Sequence, residues 1–493
     1  MHLGAASCVV AVHTADDAGG IPHLVRNELD ETETVNMVAL RGEQRYVGTG
    51  AKGQMGTNPT GTVRNVRDLL GRVGVPETHY PALQIGTDMD SPGLMVGFKY
   101  RGNDVQLRAE FLQAMQLRRL LASAQGALES RGGMRALAVA IPYETSGAAA
   151  RALLDALAVA EAPIDTPHLV YDSTAALACW AFRNVLPVTA DNARIVLLVD
   201  VGASKSEAVL ARIHVGSLTI LARSCLRDVG ARDFDLALHE HCCDAIAAKY
   251  KLDVRSNAKA SLRLLREVEK AKSVLSANKQ ADVRVECLMN DVDVDVHVTR
   301  DEFNAMTLDL VDRFADMVAD VVAVSAPNVI EVMGGGMRIP AIRAAVADVA
   351  APRTLSMTLD TATAVAVGAA LVAAVRSGDI GHFKIDEPAV DIAKDGLDAA
   401  AIDEMIGVEH EMLKHDELVR ATADARNELE AVLFDTQARM PASGAKPLRK
   451  ALARVQDWLD ATTSSDTSCL EDLEKHLGEL KALVGEHLDN DDE

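Results

Sequence analysis

Aromatic residues are scarce in this 493-residue chain: phenylalanine, tyrosine and tryptophan make up 3% of it. That is too few for the stacking platforms with which proteins hold single-stranded nucleic acid. Positive charge is also in short supply. Lys and Arg number 50 against 72 Asp and Glu, a formal net charge of −22, which argues against a phosphate backbone or an anionic membrane as the main partner. Long apolar runs are missing too, and none approaches the roughly 18 residues of a membrane span. The seven cysteines (Cys8, Cys179, Cys225, Cys242, Cys243, Cys287, Cys469) are odd in number, scattered and never in a C-x-x-C pair, the usage of a reducing compartment. The opening MHLGAASCVVAV has neither a basic leader nor a long apolar stretch before a cleavage site. The expectation is a soluble protein of the cytoplasm, with the nucleus open, that engages neither nucleic acid nor membrane.

At roughly 150 residues per domain the length allows about three domains, enough to bury a core without staples. From Ala136 to Gly202 a short apolar run (ALAVAIP), a helical stretch (GAAARALLDALAVA) and a second apolar run (ARIVLLVDVG) follow one another. Buried strands alternating with helices predict an α/β fold. A second such unit runs through VIEVMGGG (329 to 336) into RIPAIRAAVADVA, and its glycines sit where a strand hands over to a helix, the place where α/β folds bind ligands. Between the two, Ala258 to Asn278 carries leucines at helical spacing with charges opposite, which predicts a long amphipathic helix. Val283 to Val298 then alternates with period two around Met289, Asn290 and Asp291, so a hairpin joins that helix in an inserted subdomain.

After Ser377 the stretch GDIGHFKIDEPAVDIAKDG is weakly periodic and glycine-marked, and reads as a connector rather than a folded unit. Helices follow beyond Glu409. Leu418, Thr422, Ala425, Leu429, Val432 and Leu433 share one face; MPASGAKP interrupts; Leu448, Leu452, Val455 and Leu459 repeat the pattern. A third helix starts at Ser468 with capping-box spacing to Glu471 and continues through Leu473, Leu477, Leu480 and Leu483, completing a small bundle. DNDDE closes the chain as a frayed acidic tail. The predicted organisation is 1–376, connector 377–408, bundle 409–488 and tail 489–493.

Four local signals have plain structural readings. Gly48, Gly50 and Gly53 spell G-x-G-x-x-G, yet no strong strand precedes them and no ribose-binding acid follows, so a loop is expected. Asp291, Asp293, Asp295 and Glu302 fall at calcium-loop positions, but Val296 stands where the loop needs glycine, and an exposed-edge strand is expected instead. His239, His241, Cys242 and Cys243 form a metal-like run without a second ligand pair at zinc spacing. Pro142, followed by Tyr143 and Glu144, suits an active-site turn or the end of a buried strand equally well.

Six ordered stretches carry a family resemblance: GTNPTGTVRNVRDLLGR (56 to 72), VDVGAS (199 to 204), RDFDLAL (232 to 238), EKAKSVLSAN (269 to 278), GGGMRIPAI (334 to 342) and TAVAVGAALVAA (363 to 374). In this order they resemble the nucleotide-binding domain of the heat shock protein 70 superfamily. KYKLDVRS (249 to 256), ECLMNDVDV (286 to 294), DNARIVLLVDVGAS and GAASCVVAV resemble its heat shock protein 110 branch, whose members serve as nucleotide exchange factors. The resemblance implies an actin-like, ribonuclease H-like, two-lobed ATPase fold with a C-terminal helical bundle, and ATP or ADP with magnesium as cofactor. It places Gly4 in the first phosphate loop and Gly202 in the second, with Ser204 and Gly230 also on the cofactor. Asp200 would hold the metal-bound water and serve catalysis. Gly334, Gly335, Gly336 and Arg338 would border the adenosine, and Glu269, Lys272 and Ser276 would close over it.

The departures from the family pattern predict a degenerate ATPase with little or no hydrolysis. His2 stands where an aspartate of the first strand belongs, and Ala5 replaces a phosphate-binding threonine; an upstream coding stretch ending a strand in Asp would restore that half of the loop. The catalytic lysine falls at Arg67 and the glutamate general base at Asp172. Ala203 and Lys205 replace a glycine and a hydroxyl, Ser273 an adenine-stacking arginine, and Ala362 an aspartate near the hinge. The 32 positions of 377–408 are too few for the family's peptide-binding sandwich, since eight strands of roughly five residues need about 40. The implied role is a 110-like co-chaperone in protein folding and the stress response, with a 70-type chaperone and unfolded clients as partners. The alternative is an active 70-type ATP-hydrolysing chaperone.

Overall fold

In the computed structural model the apolar run Arg194–Val201 becomes a strand in the middle of a six-stranded sheet, with buried residues in succession because both faces are covered. The structure describes residues 1–14, 20–72, 74, 83–87, 93–440, 446–462 and 467–487. They fall into two units, one of 1–39, 46–98 and 105–402, the other of 40–45, 99–104 and 403–493.

Two sheets of like design build the first unit. One runs in the order His168–Tyr171, Ala138–Ile141, His2–Leu3, Ser7–Val12, His23–Val25, with Glu33–Val35 also on Ser7–Val12. The other runs Leu355–Ser356, Val329–Met333, Arg194–Val201, Ser206–His214, Ser217–Leu226, Lys384–Asp386. In both, an antiparallel meander is extended by parallel strands. This duplication is the actin-like two-lobed fold. Helices Asp172–Arg183 and Ala364–Arg376, rich in alanine, share one core with strands of both sheets, and Gly368 lies against the Ala175 backbone where no side chain would fit.

The inserted subdomain forms as its periodicity predicts. Helix Ala258–Ala277 turns Leu264, Leu265, Val268 and Leu275 inward, and the hairpin Gln280–Met289 with Val292–Thr299 buries Val283, Val294, Val296 and Val298 beneath exposed acids. Asn290 and Asp291 both have positive φ, 51° and 58°, the left-handed pair of a tight hairpin turn.

Several expectations are corrected. GTGAKG is not a loop: Gly48, at φ 68°, leads into the short helix Thr49–Gln54. The 377–408 segment is not a bare connector, because Lys384–Asp386 pairs in parallel with Ser217–Leu226. The first bundle helix begins at Ala399 rather than beyond Glu409, since AAAIDEM is good helix-forming sequence that lacks only a strong apolar stripe. Among the described residues no helix is long and apolar enough to cross a membrane.

In the second unit, Leu429, Leu433, Leu448, Leu452, Val455, Leu459, Leu473, Leu477 and Leu480 share one core across the helices ending at Arg439, Lys446–Ala461 and Leu470–His487. Leu418, placed on that face by its spacing, is 37% exposed. The third helix starts at Leu470, after a turn at Thr467–Cys469, and not at Ser468. Most of the predicted break MPASGAKP and the whole acidic tail lie outside the described residues. Arg45 is a buried cation of this unit. Its guanidinium lies 2.5 Å from Glu409 and 2.6 Å from Asp416, with the Arg45 and Glu409 side chains only 4% and 2% exposed. Burial works against the guanidinium charge, but the two carboxylates more than offset it. Arg45→Ala strands the Glu409 charge, and we expect a loss of about 3–5 kcal/mol in denaturant unfolding of this unit. A loss under about 1 kcal/mol would show that the pair behaves as a surface one.

Candidate functional site

Both sheets end at a common polar centre. His2 opens the short strand beside Ala138–Ile141, Asp172 opens the helix after His168–Tyr171, and Asp200 lies near the end of Arg194–Val201. The following residues Gly202 to Lys205 form a tight loop in which Gly202 N–H donates to the Lys205 carbonyl at 2.9 Å. A side chain at Gly230 would stand 2.5 Å from Lys205 N and 2.6 Å from the Ala203 carbonyl oxygen, so that glycine is required by the loop packed on it.

Lys205 occupies the heart of this centre. Its ammonium lies 2.7 Å from Glu207 and 3.0 Å from Asp172, and the three side chains are 9%, 0% and 3% exposed. Glu207 also accepts from Ser173 Oγ and faces Arg223, 3.4 Å away. Burial works against the Lys205 charge, yet Asp172 and Glu207 raise its pKa above the ordinary lysine value. Burial likewise opposes ionisation of Asp172, but Lys205 above all holds its carboxyl below the usual range. Asp200 is not so compensated: burial pushes it up to about 6, with Lys205 opposing and Asp172 and Glu207 adding. Burial brings His2 down to about 4, leaving a neutral ring at physiological pH.

Arg67 is engaged as well. It donates to the Leu3 carbonyl at 2.7 Å and to Asp68 at 3.2 Å, and reaches Ser204 Oγ at 3.4 Å. Asp68 in turn accepts from Arg232 at 3.0 Å. Burial alone would raise the Asp68 pKa; Arg67 and Arg232 hold it below its ordinary value. Arg67, Ser204 and Lys205 line a cavity of about 270 Å³, whereas Glu269, Lys272 and Ala203 line another of about 990 Å³; Arg232 borders both.

The predicted residues therefore come together in two groups. At the end where the resemblance implies the metal, Asp200, Asp172, Arg67, Gly202, Ser204 and Gly230 lie around Lys205, and Gly4 lies beside the His2 ring and the Ser7 carbonyl. Towards the adenosine end, Gly334 has φ 94° and Gly336 packs on Val201, whereas Gly335 faces open space. Lys272 is turned to Asp235, 2.5 Å away, and to the Ala231 carbonyl at 2.7 Å. Glu269 is half-exposed and 3.6 Å from Arg64, Ser276 Oγ donates to the Ser273 carbonyl, and Arg338 is exposed. Sequence reasoning missed Glu207, Arg223, Arg232 and Glu387. The first was legible: with Lys205 immediately before the buried strand Ser206–His214, an acid two positions on and on the same side is the expected counter-charge.

A hydrated magnesium does not fit the metal end, because Asp172, one of the acids that would face it, is already paired with the buried Lys205 ammonium, whose positive charge also acts on Asp200. Among the described residues no three His, Cys, Asp or Glu side chains are placed to hold a metal ion, His239, His241, Cys242 and Cys243 included. The adenosine end retains an open glycine turn at Gly335.

Fold and site together define an actin-like cleft protein whose central charges are paired within the chain. The chain belongs to the heat shock protein 70 family: the family described as Hsp70 protein matches residues 1–389. Similar proteins include a heat shock protein homolog of Saccharomyces cerevisiae, 30% identical over 368 residues, covering 72% of this chain and 52% of that one. Heat shock protein hsp88 of Neurospora crassa is 31% identical over 384 residues (76% and 53%), and heat shock 70 kDa protein 4 of Canis lupus familiaris 31% over 400 (78% and 46%). The resemblance to the 110 branch is borne out by these relatives. The chain spans about half the length of the relatives it matches.

Two expectations follow. Asp200 has a raised folded pKa, so the cost of burying its charge is absent below the ordinary value of 3.8 and fully present above about 6. Asp200→Asn should therefore raise the melting temperature at neutral pH, by the equivalent of about 2–3 kcal/mol, and lose that advantage near pH 4; an equal gain at both pH values would show that burial of the charge is not its cause. Gly335→Val should fold normally because nothing lies within 4 Å of a Cβ there, whereas Gly336→Val must clash with Val201. Soluble yield and melting curves of the two variants check this, and equal damage from both would refute the assigned geometry.

Proposed function

We propose that this chain is a 110-like co-chaperone that grips a 70-type chaperone and speeds release of its nucleotide, while its own cleft holds ATP or ADP weakly and turns it over little or not at all. In this reading the first unit is the nucleotide domain and the helices of the second contact the partner. The protein works in folding of unfolded clients in the cytoplasm, as part of the stress response. Catalytic roles for Asp200, Arg67 and Asp172 are reduced to positioning ones.

One observation carries the loss of hydrolysis: Lys205 between Asp172 and Glu207 spends the charge that phosphoryl transfer must aim at the reacting phosphate. The similarity to the yeast homolog, to hsp88 and to heat shock 70 kDa protein 4 supports the branch. The reading is tested by release of a fluorescent nucleotide from a purified 70-type chaperone. Added chain should accelerate release at least several-fold, and its own steady-state ATP hydrolysis should stay at background and be indifferent to Asp200→Asn. Unchanged release together with hydrolysis abolished by Asp200→Asn would instead establish the ATP-hydrolysing chaperone.

A further inference from the structure

The Lys205 centre joins the two lobes. Asp172 and Ser173 follow a strand of the first sheet, whereas Glu207 lies in the second and Lys205 in the loop joining two of its strands, so the Lys205–Asp172 and Ser173–Glu207 contacts both cross between them. Arg67 to Ser204 and Asp68 to Arg232 make two more crossings. All four are made by groups of the chain itself. A tethered ammonium held between two buried carboxylates can neither dissociate nor be chelated, and a second cation brought beside it meets like charge.

We propose that Lys205 is a resident counter-ion standing where the family would use a divalent cation, so that this chain closes its lobes without metal. It is a positioning residue, and the inference holds whether or not the chain acts on a 70-type partner. Asp172 and Glu207 would repel one another without it. The charge bookkeeping agrees, because the same ammonium also acts on Asp200, the acid the family resemblance would give to the metal-bound water.

The test uses the full chain with magnesium chloride or EDTA at matched ionic strength. Its melting temperature should be the same in both, and calorimetry should detect no saturable magnesium binding. Lys205→Thr removes the cation: it should melt lower in EDTA and recover part of the loss, by about 2 °C or more, in millimolar magnesium. Lys205→Arg keeps a cation and should remain indifferent. A magnesium-dependent rise in the parent, or a folded Lys205→Thr that melts alike in both conditions, overturns the proposal. Should Lys205→Thr fail to fold even with magnesium, the parent's titration and Lys205→Arg decide, and a magnesium response in either one refutes it. The exchange assay is unaffected by these outcomes, so failure here and failure of the co-chaperone reading are separable.

Discussion

One buried ammonium sets the chemistry of this molecule. Lys205, with Asp172 and Glu207 at 3.0 and 2.7 Å, fixes which acids near it are ionised and which lobe faces which. Such a triad gives little net stability, because removing three charges from water costs about as much as their attraction returns. What it imposes is geometry. Asp172 parted from the ammonium would lose its ion-pair partner while still buried, so arrangements that part the lobes at this point are penalised far more than the closed one is rewarded. Asp200 bears the consequence, since the nearby ammonium is spent elsewhere and its own carboxyl is pushed towards the neutral form.

The same network extends to the 377–408 segment. Arg223 lies 4.7 Å from the ring centres of both Tyr143 and Tyr171, faces Glu207, and reaches Thr174 and Glu387. Thr174 Oγ1 donates to Glu387 at 2.5 Å. Strand pairing by Lys384–Asp386 delivers Glu387 to this place, so the segment is tied to the polar centre by backbone and by charge. Pro142 belongs here too: it closes the strand Ala138–Ile141, and its carbonyl accepts from Thr145 Oγ1 at 2.7 Å, beside the 270 Å³ cavity that it lines.

Much of this architecture was legible from periodicity. The continuous apolar runs at 138–141 and 194–201 gave strands covered on both faces, and the leucine stripe and alternating valines at 258–299 gave the helix and hairpin. What escaped was decided by partners distant in sequence. Three residues of mixed character, Lys384–Asp386, become a strand only because Ser217–Leu226 offers them an edge. Lys205 was visible as a substituted hydroxyl, but its pairing with Asp172 depends on two sheets meeting. Arg232 lay within a recognised motif, and nothing local assigned it to Asp68, 164 positions away.

The glycine motifs bear on how far such recognition reaches. Gly230 is demanded by the Ala203–Lys205 backbone, Gly334 by its positive φ and by Val201, Gly336 by Val201, and Gly4 by the Ser7 carbonyl. Each therefore has a reason to be glycine in the fold itself, with or without a phosphate beside it. A match at these positions identifies the architecture and is silent on the ligand. Gly335 differs, because no atom of the chain lies where its side chain would go and the fold alone leaves its identity free. The packed glycines mark the architecture, whereas the charges at Lys205, Arg67 and Asp200 determine the chemistry, and there the Lys205 ammonium is paired with Asp172 and Glu207 of its own chain.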